Sequence, residues 1–148
     1  MQDFRRLKVW EKAHAVSLDI ERACLSFPRR QGAVLANQLS RAASSVPTNI
    51  AEGAATRSDP EFRRFLNMAM SSALETDYHL LKARDTQLLG EESYSELTAR
   101  LLEVRRMLGG LIRRISASIE ASAVSPTPSV TKQPKFRDAV RPSDQREA

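Results

Sequence analysis

The chain is poor in the residues from which most active sites are built. Cys24 is its single cysteine, and His14 and His79 are its only two histidines in 148 residues. One cysteine excludes an intrachain disulfide and a four-cysteine metal site. Set in an apolar stretch, Cys24 reads as a small core residue rather than a reactive thiol. With five glycines, the chain holds no phosphate-cradling loop, dinucleotide fingerprint or nucleophile elbow. No window approaches 18 uninterrupted apolar residues, which argues against a membrane-spanning helix. The opening Met1-Gln2-Asp3-Phe4-Arg5-Arg6 has no apolar signal-peptide core, so a cytoplasmic location is expected.

The histidines fail two further tests. Glu11 and His14 form a Glu-x-x-His, as used by di-iron helical bundles. Such a site needs a second copy of the motif, yet Thr76 stands three residues before His79. Neither histidine has an arginine at the spacing used by small helical ribonucleases. The expectation is therefore a protein that is not an enzyme, with no cofactor and no metal site, its histidines lying at a surface or interface.

What is present is helical periodicity. Leu7, Trp10, Ala13, Val16, Ile20, Ala23 and Phe27 recur at spacings of three or four until Pro28. A second stripe from about Ala33 to Glu52 contains Leu35, Leu39, Ala43, Val46 and Ile50. Pro47 lies inside it and is expected to kink or interrupt the helix, and Gly53 to end it in a left-handed cap. Ser58-Asp59-Pro60-Glu61 announces a third helix, whose stripe of Phe62, Leu66, Ala69, Ala73, Leu80 and Ala83 runs to about Leu89. Gly90 is expected to close it, and Ser93 to Glu96 reads as a capping box for the fourth. Leu97, Leu101, Val104, Leu108, Leu111 and Ile115 form a heptad seam that Gly109-Gly110 softens without ending. The fold class is all-α: an antiparallel up-down four-helix bundle over residues 1–119. Residues 120–148, rich in proline, serine and threonine, form a disordered tail.

Charge supplies the remaining signal. Lys and Arg number 23 against 18 Asp and Glu, a net +5, and most of the surplus precedes residue 119. Arg5, Arg6, Lys8 and Lys12 crowd the first helix, while Arg63 and Arg64 open the third. Arg106 and Arg113 share a heptad position on the fourth. Such residues grip phosphates without reading sequence, or simply form a solvated polar face. The many alanines imply a thin core, and hence self-association.

Two motifs carry a resemblance. The string from Gln38 to Gly53, QLSRAASSVPTNIAEG, closely resembles the signature of bacterial four-helix-bundle proteins first known from intervening sequences in large-subunit ribosomal RNA genes. That family includes the accessory variability determinants of diversity-generating retroelements. FRRLKVWEKA, from Phe4 to Ala13, looks like the family's N-terminal motif, and EFRRFL, from Glu61, resembles its third-helix start. The resemblance spans about residues 4–119 and implies a ring-like homopentamer with a basic surface. In the retroelement branch it implies contact with reverse transcriptase and with RNA or DNA. The function it suggests is a non-enzymatic nucleic-acid-binding or ribonucleoprotein-assembly subunit. The alternative is a protein–protein adaptor for a partner such as a reverse transcriptase, without direct nucleic-acid contact. Ser40 replaces a common basic residue, and Ala54 a common aromatic.

Within the motif, Asn49 is expected to bond a backbone group freed by Pro47. Arg41 and Glu52, eleven residues or about three turns apart, are expected to share a side of the helix. Both read as packing or interface residues, and Trp10 as a buried anchor rather than a base-stacking platform.

Overall fold

The computed structural model describes residues 1–124. A short 3-10 turn, Phe4–Arg6, leads into α1, Lys8–Leu25; α2, Arg29–Ala54; α3, Asp59–Asp85; and α4, Glu91–Val124. No strand occurs among the described residues. Each helix packs on the next in chain order and α4 returns to α1, with no diagonal pair in contact. Short connections force antiparallel neighbours, so the bundle is up-down-up-down. The α2–α3 seam is the most extensive and the α1–α4 seam the least.

The predicted stripes form the core. Ile20, Leu39, Ile50, Leu66, Leu80, Val104 and Leu108 are fully buried. Truncating any of the leucines to alanine costs about 2–5 kcal/mol, because the lost contacts leave a cavity. Ala13, Ala69, Ala73 and Ala83 are equally buried, and their small side chains let the backbones approach.

The helix ends depart from the sequence reading in instructive ways. α2 begins at Arg29, directly after Pro28, and not near Ala33. It passes through Pro47 without a break, and Pro47 is buried. Gly53 is not a left-handed cap, since no glycine among the described residues has positive φ. It lies inside α2, where a Cβ would sit 2.8 Å from Phe62 Cδ2 and 2.9 Å from Phe65 Cβ. The glycine exists to admit the two phenylalanines of α3.

α3 starts as expected, with the Ser58 hydroxyl accepting from the Glu61 N–H at 3.4 Å and Pro60 in the first turn. It ends at Asp85, short of Leu89 and Gly90. The Leu88 N–H reaches the Ala83 carbonyl (2.9 Å) and the Gln87 N–H that of Arg84 (2.9 Å). This paired closure needs a left-handed residue, and Gln87 supplies it at φ 62°. α4 starts at Glu91, ahead of the Ser93 capping box, and carries on through Gly109-Gly110 as one helix. It passes the domain boundary drawn at residue 119 and reaches Val124. The remainder of the predicted tail, 125–148, lies outside the described residues.

Candidate nucleic-acid interface

Antiparallel packing sets the start of α1 beside the middle of α4, and the start of α3 beside the far part of α4. Cations that are distant in sequence therefore meet at one end of the bundle. Lys8, Arg113 and Arg114 line an open groove of about 510 Å³ between α1 and α4. Its floor is apolar, made by Leu7, Val9, Met107, Leu111 and the bare backbone of Gly110, and among the described residues no carboxylate lines it. Arg106, two turns earlier on α4, is exposed and, like Lys8, Arg113 and Arg114, makes no ion pair among the described residues.

The other candidates divide. Arg6 is exposed. Arg5 pairs with Asp3 at 3.4 Å and lies 4.6 Å over the Phe4 ring. Lys12 is drawn to Glu103 of α4 at 2.9 Å, so much of its charge is already answered. Arg63 is half-buried and points to the Ser116 hydroxyl, 3.4 Å away. Arg64 is exposed and stacks 4.5 Å over Phe65. Heptad spacing pairs Arg113 with Arg106 and passes over Arg114, whereas the groove takes both adjacent arginines.

The histidines take different places. His79 is buried at 8% exposure, contrary to the expected surface or interface position. Its Nε2 lies 3.4 Å from the Glu75 carboxylate, and its Nδ1 has no partner. His14 is exposed, and its ring stacks on Trp10 with centroids 4.9 Å apart. Among the described residues no group of three or more His, Cys, Asp or Glu is placed to hold a metal, and no helix is long and apolar enough to cross a membrane.

The signature residues are placed as follows. Trp10 is half-buried, packed edge-on by Phe4 at 4.8 Å. Arg41 and Glu52 are both exposed on α2. Asn49 is buried, and its amide donates to the Ser45 carbonyl (2.9 Å) and hydroxyl (3.0 Å). The carbonyl released by Pro47 belongs to Ala43, one turn back, so Asn49 does not serve it as expected. Instead Ser45, 2.9 Å from the Ser72 hydroxyl on α3, carries a polar link across the α2–α3 seam.

The family model described as 23S rRNA-intervening sequence protein matches residues 5–110, most of the chain and both motifs. The chain belongs to that family. Among solved structures, one from Bacteroides thetaiotaomicron, titled a protein with unknown function from the S23 ribosomal protein family, is similar to it. The two share 25% identity and superpose with a TM-score of 0.66, over 70% of this chain and 97% of the other. No curated protein matches. As an intervening-sequence protein, the chain carries Lys8, Arg63, Arg64 and Arg106 within the family match; Arg113 and Arg114 stand just beyond its end.

Proposed function

We propose that this chain is a non-enzymatic, self-associating helical-bundle protein that binds RNA or DNA through the basic α1–α4 groove. The observation that carries the reading is the convergence of Lys8, Arg113 and Arg114 on one groove without a carboxylate. Counterion release from phosphates supplies the affinity, and no base edge needs to be read. Arg106 and Arg6 extend the positive field beyond the groove. Exposed Leu74 and Tyr78 on α3 and Leu102 on α4 support self-association, as does the homopentamer implied by the family resemblance. Light scattering is expected to give about five times the 16.5 kDa chain mass.

The test is fluorescence polarisation with a labelled structured RNA and a labelled duplex DNA between 50 and 200 mM salt. Binding is expected to fall steeply with salt, and Arg113→Glu with Arg114→Glu to weaken it by at least about tenfold. The slope of log affinity on log salt should flatten by about two, because two phosphate contacts are lost. Unchanged affinity in the double variant removes the groove from the reading.

A further inference from the structure

A second groove, of about 380 Å³, runs between α1 and α2 and has the opposite character. Phe4, Trp10 and His14 supply aromatic rings, and Leu18, Pro47 and Ala51 add aliphatic surface along its length. Two carboxylates, Glu52 and Glu21, border it. Among the described residues, not one lysine or arginine lines this groove. Neither glutamate has an ion-pair partner among the described residues, whereas Asp19 and Glu103 at the α1–α4 seam are each answered by a cation. Three signature residues, Trp10, Pro47 and Glu52, meet here from separate parts of the sequence.

We infer that the α1–α2 groove is a docking site for an extended basic segment of a partner protein, carrying a guanidinium at each end and a small apolar residue between. Charge complementarity and the spacing of the two glutamates together select this occupant. Glu52 lies at the Trp10 end, and eleven residues of α1, about 16 Å of helix rise, separate Trp10 from Glu21. An extended chain covers that distance in about five residues at roughly 3.3 Å each. A guanidinium suits the aromatic end because its plane stacks on rings while its N–H groups reach a carboxylate. Arg5 of the same chain already shows this stacking at the rim: it lies 4.6 Å over Phe4 while paired with Asp3. Nucleic acid is unsuited to this groove, since phosphates would face the two glutamates. The inference therefore stands apart from the basic α1–α4 groove.

Trp10 is the only tryptophan in the chain, so its fluorescence reports on this groove alone. The probe is a capped hexapeptide, Arg-Gly-Leu-Ala-Gly-Arg, titrated into the full chain. A saturable change in Trp10 emission is expected, absent when both arginines are replaced by glutamine. Glu52→Gln and Glu21→Gln are each expected to weaken binding by about two- to fivefold, the size of a solvated ion pair. Glu96→Gln, on the exposed face of α4, leaves it unchanged. Circular dichroism of each variant checks that the helices are intact. No saturable signal up to millimolar peptide overturns the inference, as does binding that ignores both glutamine variants. Equal binding of arginine amide alone overturns the extended-segment form and leaves a single-cation pocket.

Discussion

Asp19 of α1 accepts hydrogen bonds from two guanidinium groups, Arg22 on its own helix and Arg100 across the seam on α4. With Lys12–Glu103 it is one of two ion pairs that join these helices where the bundle has least contact. The hydrogen bond from Arg100, above all, holds the Asp19 carboxyl below its ordinary value of 3.8. A group with a depressed folded-state pKa stabilises the fold fully above its unfolded value, and loses that contribution as pH falls toward the folded value. Asp19→Asn is therefore expected to lower stability by about 0.5–1 kcal/mol at pH 7, the modest size expected of a partly solvated pair. Urea unfolding at several pH values checks this: the gap between parent and variant should be constant from pH 7 to 5 and shrink below about pH 4. A gap that widens on acidification contradicts it.

Gly53→Ala tests the contact between α2 and α3. Alanine favours a helix interior by up to about 1 kcal/mol over glycine. Here the added methyl would meet Phe62 and Phe65 at under 3.0 Å, and overpacking costs about 1–3 kcal/mol. The expected net result is a lower thermal midpoint. Gly110→Ala, whose nearest neighbour is the end of the Arg113 side chain at 3.9 Å, should raise it.

Gln87 offers the reverse case. It holds a left-handed backbone that a side chain resists and glycine adopts freely. Gln87→Gly is expected to stabilise the chain by about 0.5–1 kcal/mol, seen as a higher urea midpoint with unchanged slope. A destabilised variant would mean that the α3 closure depends on the glutamine side chain.

Cys24 is expected to be inert in the folded chain. Burial, with a smaller effect from Glu21, pushes its thiol up to about 11 from an ordinary 9.0. At pH 8 the thiolate fraction then falls about a hundredfold, and disulfide-exchange labelling should slow in proportion relative to the urea-unfolded chain. Equal labelling rates in the two states would show that the site is open to solvent.

The apolar stripes made the helices legible in the sequence, because burial follows a period of 3.6 whatever the helix ends do. Leu39, Ile50, Leu66 and Leu108 all lie where the periodicity put them. The ends were harder to read because they depend on backbone geometry that more than one residue type can supply. Gly90 looked like the closure of α3, but Gln87 adopts the strained conformation instead. Gly53 looked like a cap because the reason for its small size, two phenylalanines of the next helix, lies outside its own segment. The candidate sites depended still more on packing. Lys8 and Arg114 are more than a hundred positions apart, and their convergence follows from the antiparallel register of α1 and α4. Likewise, no spacing in the sequence joins Trp10 to Glu52. The burial of His79 was hidden because its polar identity outweighed its place between Thr76 and Leu80, both fully buried.

α4 has 34 residues and α1 only 18. At 1.5 Å per residue the longer helix exceeds its neighbour by about 24 Å. α1 begins at the level of Gly110 and Leu111, so beyond that height α4 leans on α3 through Arg63–Ser116 and Asp59–Ser118. The family match stops at residue 110, the same height. The part distal to it is an outrigger braced on one side: Ile115 is its last buried residue, so the turns past Ser118 can fray without opening the four-way packing. Arg113 and Arg114 ride on that outrigger, so the charge of the basic groove hangs on the α3–α4 seam rather than on the whole bundle.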